Sequence, residues 1–433
     1  MSGALLVLWF ALIVADRVDF LAGHGPFLLS PFLVLTPLVA ASETLRLLRS
    51  KGRFRVLPGT TPYVLVATAF LLVLGISVIL SRDQEFAVKR FALMVAILYS
   101  TFLICAALGS RPDADRILVR GSYAGLAVAL VFNGLQAWAW LTFGGAHYYL
   151  LNGIVDVSPN MYGPWFPRFA GQVIDMNRSG ILTVAYLFFI VVLAPASRTR
   201  TFFVWTGVIL ILATLSRSVM LAALTMWLVV ALRDRSLGFS RRGVSAVMLV
   251  VGGASAWLIA HAAQVQTLWT LAAPVRQRFD AGEGSAGVHV QLLERGWELS
   301  TRSLGNALSG VGFGNAFHYT QDIFPGDKYG NFHSIYVTLL AESGVFALVL
   351  GMVLFFWPMG RSRRYLPLLA AFAAFNVFYQ LLTEPIFWFG LAAAWSGLCA
   401  PEQGPQPSVE PDAAPAAERS PAPGPARLAG ARP

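Results

Sequence analysis

Apolar stretches of about 14–26 residues recur along the chain, separated by short loops rich in arginine and lysine. In hydrocarbon every backbone N–H and C=O must be satisfied within its own segment, so such runs predict helices that cross a bilayer. Spans are expected near 4–22, 27–41, 63–80, 91–109, 117–143 and 179–194, then near 202–215, 219–232, 244–262, 334–357, 366–382 and 386–399. The fold class is therefore all-α, a polytopic membrane protein of about twelve helices. Asp16, Arg17 and Asp19 interrupt the first span near its outer end. The chain leaves the hydrophobic register at length only once, between about 263 and 333, and re-enters it through Asn331-Phe332-His333-Ser334-Ile335-Tyr336. This divides it into nine helices over 1–262, a large loop over 263–333, three helices over 334–400 and a Pro/Ala-rich tail over 401–433. The tail holds too little apolar material to pack and is expected to be disordered.

Composition agrees with this reading. Of 433 residues, 56% are hydrophobic and 12% charged, about half the charged share of a soluble domain. The net charge of +10 is dispersed over alternate loops rather than gathered into a basic stripe interleaved with aromatics, which argues against nucleic acid as a partner. One set of loops carries Arg46, Arg49, Lys51, Arg53 and Arg55, then Arg111 and Arg116, then Arg198 and Arg200; it continues with Arg233, Arg235, Arg241 and Arg242, then Arg361, Arg363 and Arg364. The positive-inside rule makes that set cytoplasmic, both termini cytoplasmic and the 263–333 loop external. Cys105 and Cys399 fall inside expected spans, so no external disulfide framework is implied. The N-terminus has no basic leader or small-residue cleavage site, and the first span is expected to be retained.

Candidate chemistry lies at the outer surface. Residues 144–178 hold Tyr148, Tyr149, Trp165, Phe166 and Arg168 and end in Asp175-Met176-Asn177-Arg178. The aromatics suit interface anchoring or sugar stacking. The turn Leu215-Ser216-Arg217-Ser218 places an arginine at a membrane edge, where it either snorkels to headgroups or faces an anion. The long loop includes Arg276 and Arg278, then a helical run from about Val288 to Leu308. There Val290, Leu293, Trp297, Leu304 and Leu308 fall on one side, the pattern of a helix lying on or dipping into the membrane surface. Arg295 and Arg302, seven apart, share a flank, and Glu298 is spaced to pair with Arg302. Gly310-Val311-Gly312-Phe313-Gly314 suits a sharp turn or close backbone approach; a phosphate loop would need a lysine and a preceding strand. His333 opens the tenth span, and an imidazole there can accept a proton near neutral pH. His289 and His318 share the loop, but no metal-ligand spacing accompanies them, and no metal or cofactor is expected.

At these residues the chain resembles the O-antigen ligase/polymerase superfamily of bacterial envelope glycosyltransferases. The matches are Ser216-Arg217, Arg295 with Trp297, Gly310-Val311-Gly312, and His333-Ser334-Ile335-Tyr336 through Glu342 and Gly344; Asp175-Met176-Asn177 resembles an Asn-containing helix start of the family. Ser334 stands where the family more often has Asn, and the Arg-to-Trp and Arg-to-Gly spacings are short, so Arg276 or Arg278 competes with Arg295 for its role.

The resemblance implies a GT-C-like bundle in the bacterial inner membrane, with its active site facing the periplasm. It implies metal-independent, inverting transfer of a glycan from undecaprenyl pyrophosphate to an acceptor hydroxyl. His333 would be the general base, with Arg217 and Arg295 on the departing pyrophosphate. Arg178, Arg276, Arg278, Asn177, Arg302 and Trp297 are further substrate contacts, and Glu342 reads as a packing or orienting carboxylate with no partner evident in the sequence. A ligase would use lipid A-core as acceptor, a polymerase another glycan and an oligosaccharyltransferase a protein; the single dominant loop favours the ligase. A multi-span transporter or lipid-linked-glycan flippase is the reading from a different class, and it would call for inverted repeats and charged residues near the midplane.

Overall fold

The computed structural model describes residues 2–22, 24, 28–49, 59–162, 166–233, 285–323 and 330–399. The expected span at 244–262, the loop arginines Arg276 and Arg278, Trp165, the basic residues at 51–55 and 235–242, and the 401–433 tail lie outside the described residues.

The described chain is mostly helical. Its first helices are α1 (Ser2–Ala11), α2 (Pro31–Arg49), α3 (Thr60–Ile79), α4 (Gln84–Gly109) and α5 (Ala114–Phe143). Two short antiparallel hairpins follow, β1 (Tyr149–Leu150) with β2 (Val155–Asp156) and β3 (Asn160–Tyr162) with β4 (Phe166–Arg168). Next come α6 (Met176–Leu193), α7 (Arg198–Thr214), α8 (Arg217–Arg233), α9 (Ser285–Thr301), α10 (Leu304–Ser309), α11 (Ile335–Arg361), α12 (Leu366–Asn376) and α13 (Pro385–Ser396). Among them α3, α4, α5, α6 and α11 are long and apolar enough to cross a membrane. Helix α6 is buried along nearly its whole length, from Ser179 to Val191, and packs against α5, α7, α8 and α12. Helices α3, α4, α11 and α13 pack together, and α12 touches members of both groups.

Two expected spans are shorter than their apolar runs. Helix α1 stops at Ala11, and Tyr186 donates its hydroxyl to the freed carbonyls of Phe10 (3.0 Å) and Ala11 (2.8 Å). Beyond it the Asp16-Arg17-Val18-Asp19 stretch joins the hairpin region: Arg17, 2% exposed, donates to the Val173 and Ser158 carbonyls and pairs with Asp156 at 3.3 Å. A buried guanidinium needs most of its donors satisfied, and an apolar helix offers no acceptors for it. The run expected to stay helical to 382 stops at Asn376, because the carbonyls beyond it are used elsewhere, as described below.

At one end of the bundle Arg111 bridges Glu43 (3.0 Å) and Asp113 (2.9 Å), Arg364 approaches Asp115 and Arg233 donates to the Arg363 carbonyl. The other end carries the hairpins, α9 and α10, and the starts of α6, α8 and α11. It is termed the loop end.

The helical run in the long loop is broken. Helix α9 ends at Thr301, Ser303 caps α10, and Arg302 sits in the bend between them, so the expected Glu298–Arg302 pair is not formed. Of the expected stripe, Val290, Trp297 (60% exposed), Leu304 and Leu308 face outward but Leu293 is half-buried, while Leu292 and Leu299 are buried. Gly296 lets α9 close on α11: a Cβ there would lie 2.4 Å from Val337 and 2.9 Å from Phe332.

Candidate active site at the loop end

His333 stands two residues before α11 in a left-handed backbone conformation (φ 53°), which a histidine tolerates better than a branched residue. Three contacts hold it there. Asn331 Oδ1 accepts the His333 N–H at 2.8 Å, Ser334 Oγ donates to the Asn376 carbonyl at 3.2 Å, and the Ile335 N–H donates to the Tyr379 carbonyl at 3.2 Å. The residues after α12 thus leave the helix and pin the start of α11. The His333 ring meets His289 of α9 edge to face, with centroids 4.4 Å apart, and Tyr379 at 5.9 Å. Burial pushes the His333 imidazole down to about 4, because a cation gains little solvation there.

Tyr379 leads to the start of α6. It neighbours Asp175, which caps α6 by accepting the N–H groups of Asn177 (2.8 Å) and Arg178 (2.9 Å). Asn177 Oδ1 accepts a 2.6 Å hydrogen bond from Ser216 Oγ, and Ser216 lies 3.1 Å from Ser218 Oγ. Leu215, with φ 50°, turns the chain sharply into α8, and buried Arg168 holds that turn by donating to the Thr214 carbonyl at 2.9 Å. The three sequence motifs thus meet through one line of contacts, His333–Tyr379–Asp175–Asn177–Ser216, and Arg217 is the next residue.

The candidate arginines differ in what already occupies them. Arg178 is engaged by Glu384 Oε1 at 2.5 Å and by Asp16. Arg295 pairs with Asp322 at 2.8 Å and approaches Glu298 at 4.0 Å. Arg302 is exposed, at the bend after α9. Arg217, half-buried at the start of α8, makes no hydrogen bond or ion pair among the described residues. Of the aromatics in 144–178, Tyr148 stacks on Phe143 at 4.2 Å and meets Trp138 edge to face.

The glycine turn acts as a docking surface for backbone. Helix α11 breaks at Gly344 (φ 79°, ψ −178°), which frees the Ala341 and Glu342 carbonyls to accept Val311 N–H and Gly312 N–H, both at 2.9 Å. Ser77 Oγ also donates to the Glu342 carbonyl at 2.7 Å, and the Glu342 side chain accepts Ala316 N–H at 2.9 Å. This supplies the orienting carboxylate with its partner. Among the described residues no three His, Cys, Asp or Glu side chains gather into a group able to hold a metal ion.

Sequence reasoning set aside His289, met Asp16 only as a break in the first span, and passed over Tyr379 and Glu384. Of the two passed over, Glu384 left a signal, as a carboxylate before Pro385 between two apolar runs.

No curated protein matches the chain. Residues 202–352 match a family model described as O-Antigen ligase. The matched stretch contains Ser216-Arg217, Arg295, the glycine turn and the His333 motif, the residues that also carry the sequence resemblance. With its apolar bundle and this matched stretch, the chain is a membrane protein that is similar, over residues 202–352, to the O-antigen ligase family.

Proposed function

We propose that the protein transfers a glycan from undecaprenyl pyrophosphate to an acceptor hydroxyl at the periplasmic face of the bacterial inner membrane, with lipid A-core as acceptor. The observation that carries this reading is the pairing of a half-buried imidazole with an uncommitted arginine. His333 and Arg217 lie at the same end of the bundle, joined by the Tyr379–Asp175–Asn177–Ser216 contacts. Arg217 also starts a helix, where unpaired backbone N–H groups favour an anion.

In the proposed reaction His333 takes the proton of the acceptor hydroxyl as its oxygen attacks the anomeric carbon from the face opposite the pyrophosphate. The C1–O bond breaks with its electron pair leaving on the pyrophosphate, and Arg217 stabilises that developing charge. Arg295 is a second contact once its bond to Asp322 is exchanged for the donor. Arg276 and Arg278 are further candidates for the same role; Asn177, Arg302 and Trp297 would border the glycan and lipid. Arg178, already shared between two carboxylates, is best read as a scaffold for Asp175 and Tyr379. The outward apolar stripe on α9 and α10 suits a wall or lid against lipid.

The test is transfer by purified protein from an undecaprenyl-pyrophosphate glycan in the presence of EDTA, with lipid A-core and a second donor molecule offered together. Glycan on lipid A-core supports the ligase reading, and lengthened lipid-linked glycan makes the protein a polymerase. His333→Ala and Arg217→Lys should each abolish product, the latter because lysine cannot make a forked phosphate contact. Normal transfer by either well-folded variant removes that residue from the mechanism. If wild type forms neither product, protein acceptors and flipping of the lipid-linked glycan are tested next.

A further inference from the structure

The imidazole of His289 meets the His333 ring at 4.4 Å with the ring planes 88° apart. It reaches there from a different element, the loop helix α9, whose inward face otherwise consists of Leu292, Gly296, Leu299 and Ser300. That face packs on Phe332 and Val337 through close apolar contact. One turn nearer the start of α9 the same face presents an imidazole, and its neighbour there is His333. Apolar packing alone would be served by any aromatic side chain at this position.

We propose that His289 is the proton-accepting partner of His333, taking over the proton that His333 removes from the acceptor hydroxyl. The inference rests on the transferase reading above. The proton budget is closed by three moves: acceptor O–H to a His333 ring nitrogen, His333 to a His289 ring nitrogen, and His289 to bulk water. The electron pair of the broken glycosidic C–O bond leaves with the pyrophosphate, so no further reactant is needed.

Two features favour His289 as the exit. The other ring against His333 is that of Tyr379, near which Arg178 and Glu384 are paired with each other. Of the two rings against His333, only an imidazole accepts a proton near neutral pH, and that ring is His289. Second, two imidazolium ions cannot share this separation, so a protonated His333 keeps His289 neutral and able to accept. The buried setting that makes His333 a weak cation also drives its proton onward.

The experiment compares His289→Phe, His289→Gln and His289→Ala with wild type in the purified transfer assay, with and without added imidazole. His333→Ala serves as reference, and size-exclusion profiles confirm folding. The Phe and Gln variants should lose about 10–100-fold in kcat with donor KM unchanged, a share of what general base catalysis typically contributes. Added imidazole should restore His289→Ala in a concentration-dependent way and leave His289→Phe, whose ring fills the space, unrestored. Wild-type kcat in His289→Phe overturns the proposal, and so does a His289→Ala loss that imidazole does not relieve. An inactive His333→Ala beside a fully active His289→Phe overturns this inference alone, whereas an active His333→Ala removes the base reading and this inference with it.

Discussion

The Glu342 carboxylate accepts the backbone N–H of Ala316 at 2.9 Å, across 26 residues of chain. Both groups are buried, so the bond fastens the loop after the glycine turn to the first third of a membrane-length helix, just before its kink. Removing the acceptor leaves a buried N–H unpaired, which costs about 1–3 kcal/mol. Glu342→Ala should therefore lower the melting temperature in detergent and open residues 310–320 to protease. Glu342→Gln keeps a carbonyl oxygen in place and should stay near wild type in both measurements. Equal losses in the two variants would count against this bond as the fastening.

The same joint makes a sharper demand at its two glycines. Gly344 has φ 79° and ψ −178°, and Gly310 has φ 72° and ψ −172°, a region almost closed to residues with a Cβ and costing about 1–3 kcal/mol to occupy. Space is lacking as well: a Cβ would sit 2.1 Å from the Leu308 carbonyl oxygen at Gly344 and 2.2 Å from the Glu342 carbonyl carbon at Gly310. Either glycine changed to alanine should destabilise the protein by more than about 2 kcal/mol. The loop should come loose before the bundle melts, which hydrogen exchange at Val311 and Gly312 would register. Wild-type protection at those two amides in a folded variant would show that the kink and the turn are not coupled.

Arg178 and Arg217 should separate stability from activity. Arg178→Ala strands Glu384, whose side chain is 3% exposed, without its cation; breaking such a buried pair costs about 3–5 kcal/mol. Arg217→Ala breaks no ion pair or hydrogen bond among the described residues and should leave stability within about 0.5 kcal/mol while removing transfer. Thermal melts and transfer rates on the same preparations would decide it. A stable, active Arg178→Ala protein would refute the scaffold role, and a severely destabilised Arg217→Ala protein would show that this arginine has a structural duty.

These contrasts mark what sequence could and could not disclose. The apolar runs announced α3 to α6 and α11 because length and hydropathy are local properties. The Ser216-Arg217 turn and the His333 helix start were legible because each breaks an apolar run with polar residues at a fixed edge. Local reasoning failed where tertiary hydrogen bonds overrode the pattern. The carbonyls of Asn376 and Tyr379 bind Ser334 and Ile335 instead of continuing α12, and Arg17 found its acceptors about 140–160 residues away in Ser158 and Val173. His289 was hidden for a related reason: its meaning depends on which face of α9 turns toward α11, and the more apolar-looking stripe proved to be the outward one. Glu342 could be read as an orienting carboxylate, but its partner, a backbone amide, carries no side-chain signature.

The setting of His333 fixes how transfer should depend on pH. An ordinary histidine has a pKa near 6.5, and burial lowers this one to about 4. Its neutral, proton-accepting form therefore persists well below the usual range. Transfer should stay level from about pH 8 down to about pH 5 and fall as the imidazolium forms near 4. Stability moves in the same direction for a linked reason. Between the two values the unfolded chain binds the proton and the folded chain does not, so this residue reduces stability as pH drops through 6.5 toward 4. Replacing His333 with Gln should flatten that part of the stability profile, since the group that charges only on unfolding is gone. Melting temperatures of wild type and His333→Gln between pH 4 and 8, beside wild-type transfer rates over the same range, test both limbs; an activity midpoint near 6.5 would mean that the proton-accepting histidine is solvated, contrary to the position the fold gives His333.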